Sequence, residues 1–338
     1  MPFINEILHC SSLSIIGMEK NTGKTECLNF IIKKLQDKQI PFAITSLGID
    51  GETVDQVTFT HKPEIKLDRN AIFITSEKHY REKKLDAEIL DVSQRRTSLG
   101  RLVTAKVVTP GKVILSGPPT TRWLKQILDT MPKYGVKFTL VEGALSRKTL
   151  ASPSITDSVI LTTGAALSPH IPELVRKTKF VYRLMQLDKF EHPVNKQLEN
   201  IDTGLFAITA DEKIIRLPVK STLLLEQHKD ELLRYGKILF ISGIITDNIL
   251  NTLRLQKEIK DITLVVKDFT KIFVSPEALN AFINSGGQIK LLQKNKLIAI
   301  TVNPTSPTGY RIDSKKLIDA LLQVVDVPVY DLMMNLDE

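Results

Sequence analysis

One segment near the start of the chain constrains the fold more than any other. Residues 13–16 form a short, mostly apolar run. The glycine-bearing loop GMEKNTGKT follows from Gly17 to Thr25, and apolar residues then recur at helical spacing through residue 35. A strand, a glycine loop and a helix in this order are typical of a phosphate-binding P-loop, whose glycines let backbone N–H groups approach phosphate oxygens. With residues 41–46 as the next strand, the segment predicts a parallel βαβ unit.

The predicted phosphate site lies in this loop, and the helix behind it presents its positive N-terminal end to an anion. We expect Lys24 to reach the outer phosphates and to take part in catalysis, and the Thr25 hydroxyl to hold Mg²⁺. ATP and Mg²⁺ are therefore the expected ligands. The guanine-specifying pattern Asn-Lys-x-Asp is absent from the sequence, which weakens an assignment to GTP. The residues predicted to bind the nucleotide are Gly17, Lys20, Asn21, Thr22, Gly23, Lys24 and Thr25.

The loop is one residue longer than the usual pattern GxxxxGK[ST]. Five residues separate Gly17 from Gly23 instead of four. The longer spacing resembles that of dethiobiotin synthetase and its relatives, and the stretch KNTGKT also resembles the loop of the molybdenum-cofactor guanine-nucleotide GTPases. These resemblances imply that the longer loop still binds phosphate.

A P-loop needs an acidic partner from another strand end, which holds Mg²⁺ or orients a water molecule. Glu142 follows the apolar run FTLV, and Asp50 follows the second predicted strand. We predict that both are linked to Mg²⁺ and that Glu142 is also catalytic. The structural alternatives are a helix cap or surface turn for Glu142 and an Asp-Gly turn for Asp50. Arg147 and Lys148 are weaker candidates for phosphate contact, because a solvated basic loop explains them equally well.

The remaining pattern alternates strands with helices, which predicts an α/β fold with two domains in a chain of 338 residues. Residues 1–215 are predicted to form a P-loop nucleotide-binding domain with a mostly parallel, doubly wound sheet. Residues 216–338 are predicted to form a smaller α/β domain. Within the first domain we expect a charged helix at residues 77–90 and a β-hairpin at residues 101–115, with its turn at Pro110-Gly111.

Composition narrows the possible functions and locations. A net charge of +8 suggests nucleic acid, but no basic run is interleaved with aromatic residues, so we expect no nucleic-acid groove. Two cysteines cannot form a disulfide framework, and six histidines lack metal-ligand spacing, so we expect the histidines at the surface or in loops. No apolar run reaches the ~18 residues that span a bilayer. These features predict a soluble cytoplasmic protein without a membrane partner.

Longer stretches of the sequence are more distinctive than the loop itself. They are IIGMEKNTGKT, GIDGE, VEGALSRKTLASPSITDSVILTTGAALS, VVKDFTKIFV and VNPTSPTGY. From about Ile15 to the region of Tyr310, these stretches together resemble the KamB family, the P-loop subunit of the lysine 5,6-aminomutase reactivase. Residues 143–148 and the tripeptide Val302-Asn303-Pro304 are the most distinctive parts of this resemblance.

The resemblance implies a function in repair of another enzyme. Lysine 5,6-aminomutase uses adenosylcobalamin and pyridoxal phosphate, and its radical chemistry can leave a spent cobalamin. A reactivase of this family is expected to use ATP to open the aminomutase and exchange that cofactor, together with a larger MutS-like ATPase subunit. The implied partners are therefore this subunit and a cobalamin-dependent aminomutase, which the second domain or the hairpin at residues 101–115 would face. Gly17–Thr25 would bind ATP, and Glu142 and Asp50 would serve Mg²⁺.

Two other functions remain open at the level of the sequence. One is an ATP-dependent ligase of the dethiobiotin synthetase type, which would activate a carboxylate and needs a pocket with convergent polar groups beside the phosphates. The other is a nucleotide-sensing module with little turnover, which the apolar Met18 beside the loop and the lack of a clear catalytic base permit. Fold alone does not separate these functions.

Overall fold

The computed structural model describes residues 3–48, 64–142, 152, 155–218 and 232–334. The chain divides into two compact units. The first combines Met1–Lys179 with Asn295–Glu338, and the second is Phe180–Lys294. The chain leaves the first unit within the helix Ile171–Gln186.

The elements follow the alternation that the sequence predicts. The strands are, in chain order, β1 (Ser12–Gly17), β2 (Phe42–Ser46), β3 (Ile65–Leu67), β4 (Ile72–Ser76), β5 (Lys84–Thr97), β6 (Gly100–Val113), β7 (Phe138–Glu142), β8 (Ser158–Gly164), β9 (Leu205–Ile208), β10 (Ile214–Arg216), β11 (Ile238–Ile241), β12 (Ile245–Thr246), β13 (Thr263–Val266), β14 (Ile272–Phe273), β15 (Gln288–Leu291), β16 (Lys296–Asn303) and β17 (Val329–Asp331). The α-helices are α1 (Phe3–Ile7), α2 (Lys24–Asp37), α3 (Glu77–Arg81), α4 (Thr121–Thr130), α5 (Ile171–Gln186), α6 (Asn195–Glu199), α7 (Asp247–Arg254), α8 (Pro276–Asn284) and α9 (Ser314–Leu322).

A large, mostly parallel sheet forms the first unit. Among the described residues its strand order is β17-β16-β8-β1-β7-β2-β4-β6-β3, and β5 pairs with β6. Every pair from β17 through β4 is parallel, whereas β3, β4 and β5 each run antiparallel to β6. The parallel direction predicted for β1 and β2 is confirmed, but β7 lies between them. This insertion brings the end of β7 next to the end of β1.

Both faces of this sheet are covered, as expected for parallel strands. Alternate residues of β2 separate into two apolar clusters: Phe42 and Ile44 pack with buried side chains of α2, and Ala43 packs on the other face with Trp123 of α4. All five residues of β2 are buried. The predicted arrangement, with helices on both faces of a mostly parallel sheet, is therefore observed.

The antiparallel edge differs from the sequence prediction. Residues 77–90 were expected to form one helix, but only α3 is helical and β5 follows it. The predicted hairpin turn at Pro110-Gly111 is also wrong, because β6 runs through both residues and the turn lies between Thr97 and Gly100. A Cβ at Gly111 would lie 1.9 Å from the carbonyl oxygen of Lys84, so this glycine permits a close strand contact instead of a turn.

The second unit contains a separate five-stranded sheet. Its strand order is β10-β9-β11-β13-β15. The strands β11, β13 and β15 are parallel to one another, and β9 runs antiparallel to both of its neighbours, β10 and β11. Buried apolar side chains such as Phe240 and Val265 form its core. No helix in the described part of the chain is long and apolar enough to cross a membrane.

The predicted domain boundary between residues 215 and 216 does not coincide with this division. Residues 180–215 belong to the second compact unit, and the chain returns to the first unit at Asn295. The reason is strand pairing: β16 pairs with β8, and β17 pairs with β16. In sequence, the second unit therefore lies between β8 and β16, which are neighbouring strands of the first sheet.

Candidate functional site

The loop between β1 and α2 has the backbone conformation that a phosphate site requires. Gly23 is the N-cap of α2 with φ 94°, and no side chain caps this helix within the described part of the chain. The first N–H groups of a helix have no intrahelical partner, so an uncapped end attracts an anion. Asn21 has φ 60°, and asparagine is one of the few non-glycine residues that adopt this conformation readily.

Gly17 allows the loop to fold back tightly over the end of β1. A Cβ at this position would lie 2.5 Å from Oγ1 of Thr22 and 2.8 Å from Nζ of Lys24. Both distances are shorter than any van der Waals contact, so a larger residue here would displace the two side chains. The first glycine of the motif is therefore required by packing within the loop as well as by access for phosphate.

The side chain of Lys24 folds back onto the loop. Its Nζ donates a hydrogen bond to the carbonyl oxygen of Glu19 at 3.1 Å. Burial lowers the pKa of Lys24 below its ordinary value, while the negative charge of Glu142 is the strongest of the influences that raise it. A half-buried cation with nearby acidic groups and a flexible stem can exchange its present contact for a phosphate oxygen.

Glu142 stands at the carboxyl end of β7, beside the end of β1. In the sheet register it is paired with Ile15 of β1 and with Ser46 of β2. Its carbonyl oxygen accepts a hydrogen bond from the N–H of Leu47 at 3.2 Å, and its carboxylate acts electrostatically on Lys24. In parallel sheets, ligands bind beyond the carboxyl ends of the strands, which is where Glu142 and the loop meet.

The oxygen groups near the loop are of the type that Mg²⁺ prefers. Thr25, in the first turn of α2, offers a half-buried hydroxyl, and Glu142 offers a partly exposed carboxylate. Across the described ranges, no group of three or more His, Cys, Asp or Glu residues could hold a metal ion. This donor set fits an ion that takes most of its ligands from phosphates and water, as Mg²⁺ does, and does not fit a metal held by protein alone.

The neighbouring strand β8 holds the loop in place through Thr162. The Thr22 hydroxyl donates to the carbonyl oxygen of Glu19 at 2.9 Å and lies 3.0 Å from the Thr162 hydroxyl of β8. The N–H of Met18 donates to the carbonyl oxygen of Thr162 at 2.8 Å. The Thr22 side chain is thus buried against the sheet, and only the backbone of this predicted binding residue remains to face a ligand.

Sequence reasoning did not include Asn303 in the site. It ends β16, and its Nδ2 donates to the carbonyl oxygen of Asn21 at 3.1 Å. The one feature of the sequence that could have indicated Asn303 is the Asn-Pro pair that follows the apolar run LIAITV. The pairing of β16 with β8, which brings Asn303 to the loop, joins strands that are far apart in sequence and leaves no local pattern.

The remaining residues that the sequence analysis singled out are an exposed lysine, three residues outside the described ranges and the histidines. Lys20 is exposed on the loop, and its N–H contacts the Glu19 carboxylate at 3.1 Å. Asp50, Arg147 and Lys148 lie outside the described residues. Of the histidines in the described ranges, His79 differs from the prediction of surface or loop positions, because it is buried and its Nδ1 lies 3.0 Å from the Ser116 hydroxyl. His61 and His228 lie outside the described residues.

Comparison with known proteins adds little to this geometry. No family model matches the chain, and no curated protein does. A solved structure described as pNOB8 ParA bound to nonspecific DNA is similar over 66% of this chain and 74% of its own, with 11% sequence identity and a TM-score of 0.26. A likeness at that TM-score carries no argument, so the site rests on its own residues.

Proposed function

We propose that this chain binds ATP with Mg²⁺ in the loop from Gly17 to Thr25. One observation carries the proposal: β1, which leads into the loop, and β7, which ends at Glu142, lie side by side, so the loop that leads to Lys24 and the carboxylate of Glu142 are at the same edge of the sheet. A cation for the outer phosphates and an acid for the metal ion are the two charged groups that P-loop chemistry needs. The uncapped N-terminus of α2 and the tight turn at Gly17 support the same assignment.

The residues divide the work of binding and hydrolysis. Backbone N–H groups of the loop and of the first turn of α2 bind phosphate oxygens, and Lys24 neutralises charge on the outer phosphates. Thr25 and Glu142 would hold Mg²⁺, with Asp50 as a further proposed ligand, and the ion would neutralise charge on the phosphates. In hydrolysis, water attacks the γ-phosphorus and the bond to the bridging oxygen breaks. ADP leaves with that electron pair, and the proton of the water passes to solvent.

We further propose that the nucleotide drives a reactivase of the KamB type. The support is the sequence resemblance, which covers most of the chain. In this role, ATP turnover would be coupled to opening of a cobalamin-dependent aminomutase and exchange of its spent cofactor, with a MutS-like subunit as partner. Binding energy would then favour one conformation of a complex and form no bond in a substrate. The cytoplasm is the proposed location.

Phosphate release from ATP and from GTP tests both the proposed nucleotide site and the proposed reactivase function. The purified chain is assayed with and without the MutS-like subunit, beside the variants Lys24→Ala and Lys33→Ala. Lys33 is an exposed lysine on the same helix and serves as the matched control. Nucleotide binding is measured in parallel by calorimetry, because binding without turnover is one of the informative results.

The outcomes separate the candidate functions. Turnover that rises strongly only with the partner subunit, and is lost in Lys24→Ala but retained in Lys33→Ala, supports the reactivase. Equal turnover without the partner indicates a self-sufficient NTPase. Binding without turnover in either mixture leaves a nucleotide sensor or a ligase that lacks its substrate. Absence of ATP binding would overturn the proposal as a whole.

A further inference from the structure

We propose that Asn303 is a positioning residue that holds the loop in its phosphate-binding conformation. The inference rests on the proposed binding of a nucleotide and extends it to a residue on a different strand. Asn303 ends β16 and contacts the backbone of Asn21, which precedes the two residues that lead into Lys24.

The amide of Asn303 is held in one orientation. Its Oδ1 accepts a hydrogen bond from the N–H of Thr305 at 3.1 Å, which leaves Nδ2 to donate to the carbonyl oxygen of Asn21 at 3.1 Å. Because each side of the amide has a partner of the matching kind, rotation of the amide would place an acceptor against an acceptor. The contact with Asn21 therefore depends on a donor at this position.

The backbone of Asn303 is also fixed. Its carbonyl oxygen accepts a hydrogen bond from the N–H of Ala165 at 2.8 Å, and a Cβ at Gly164 would lie 2.1 Å from that oxygen. The following loop closes on itself through the N–H of Ile312, which donates to Pro304, and the Tyr310 hydroxyl donates to the carbonyl oxygen of Ala165. The donor thus comes from a rigid support, as a positioning residue requires.

The contact acts at a residue with a left-handed backbone. Asn21 has φ 60°, a region that most L-residues occupy at a cost and that asparagine tolerates better than most. A Cβ at Gly23 would lie 3.1 Å from the Cβ of Asn303, so Asn303 also packs against the residue that caps α2. Without the hydrogen bond, a smaller fraction of molecules would hold the binding conformation, and the apparent affinity would fall by that fraction.

A positioning residue and a residue that contacts the nucleoside are expected to affect ligand binding differently. Asn303 acts on the loop backbone, so its loss weakens every ligand that uses the loop, whatever is attached to the phosphates. ATP, GTP and inorganic tripolyphosphate are the probes. We expect Asn303→Asp and Asn303→Ala to bind each of the three about tenfold more weakly than the unmodified chain at pH 7.5.

Asn303→Asp provides a second readout that simple damage to the structure does not. It keeps the size of the side chain but places an oxygen opposite the Asn21 carbonyl. Protonation of the introduced carboxyl restores a donor, so its affinity relative to the unmodified chain begins to recover as the pH falls toward about 4, where an ordinary aspartate protonates, whereas that of Asn303→Ala does not. Thr308→Val is the matched control in the same loop, because the Thr308 hydroxyl contacts only Ser306 among the described residues.

Calorimetric titrations of the full-length variants, with circular dichroism to verify folding, decide the question. Equal losses for the three ligands, recovery of Asn303→Asp at lower pH and unchanged binding by Thr308→Val support the inference. Weaker ATP binding with unchanged tripolyphosphate binding would overturn it in favour of a nucleoside contact. Unchanged affinity for all three ligands would also overturn it. If the unmodified chain binds none of them, the proposed function itself fails.

Discussion

The hydroxyl groups of Thr22 and Thr162 lie 3.0 Å apart and are both buried. One belongs to the glycine loop and the other to β8, which is 140 residues away in sequence. The carbonyl oxygen of Thr162 also accepts a hydrogen bond from the N–H of Met18, so the loop is connected to β8 at two points. The shape of the loop is therefore set in part by a neighbouring strand.

Replacement of Thr162 by valine tests this connection. Valine keeps the shape but leaves the Thr22 hydroxyl without its partner on β8, which costs roughly 1 kcal/mol in the free energy of unfolding. We also expect ATP to bind about fivefold more weakly, equivalent to roughly 1 kcal/mol, because the loop loses a support. Urea denaturation and calorimetry measure the two effects.

Thr163→Val is the matched control for this change. Thr163 forms a similar buried pair with Thr178, whose hydroxyl is also 3.0 Å away but which belongs to α5 and not to the loop. The control should lose similar stability and keep its affinity for ATP. Equal loss of affinity in both variants would show that Thr162 acts only through general stability.

Replacement of Gly17 by alanine tests the tight packing within the loop. The added methyl group would overlap Thr22 and Lys24, and overpacking of this kind costs about 1–3 kcal/mol. Because Lys24 must move, we expect at least about tenfold weaker ATP binding by calorimetry. Gly243→Ala is the control, since a Cβ there has no atom within 4 Å. Unchanged ATP binding by Gly17→Ala would contradict the packing argument.

Lys24 is expected to be required for binding but not for folding. Burial lowers its pKa below 10.5, so above that lowered value the folded chain binds fewer protons than the unfolded chain. The free energy of unfolding therefore rises with pH between the lowered pKa and 10.5. Below this window, the partly buried ammonium lowers the free energy of unfolding by a constant amount.

The variant Lys24→Met separates the two roles. Without nucleotide at pH 7, it should be at least as stable as the unmodified chain, and this difference should narrow as the pH approaches 10.5. It should also lose the increase in melting temperature that ATP gives the unmodified chain. A large loss of stability without nucleotide would show that the ammonium supports the folded state.

The sequence predicts the parallel part of the fold well because it is encoded locally. An apolar strand, a glycine loop and an amphipathic helix follow one another at β1 and α2, and each later parallel strand is a short apolar run. The antiparallel edge is predicted poorly. The charged stretch after α3 favours a helix by composition, yet pairing with β6 makes it a strand, because contact with a partner overrides local propensity.

The candidate site divides in the same way. The loop residues from Gly17 to Thr25 and the acid Glu142 follow from local motifs, and the pairing of β7 with β1 places Glu142 at the sheet edge from which the loop begins. Thr162 and Asn303 could not be predicted, because each reaches the loop through the order of strands in the sheet. That order places β8 beside β1 and β16 beside β8, although the whole second unit separates β8 from β16 in sequence.

Replacement of Glu142 by glutamine tests its proposed function at the metal ion. Glutamine keeps the size but removes the charge, so we expect Mg²⁺-dependent ATP turnover to fall on the order of 10²-fold while ATP binding changes little. The loss should be accompanied by a higher Mg²⁺ concentration for half-maximal turnover, because a neutral amide is a poorer ligand for this ion. Phosphate release is measured across a Mg²⁺ titration, with the partner subunit present.

Glu26→Gln is the control that separates a metal ligand from a general electrostatic effect. Glu26 is exposed on α2 and, like Glu142, raises the pKa of Lys24, but it does not stand at the end of β7. If Glu142 acts at the metal ion, Glu26→Gln retains turnover and the Mg²⁺ requirement of the unmodified chain. If both variants lose turnover equally, the two acids act only through the charge of Lys24, and the assignment of Glu142 to Mg²⁺ is wrong.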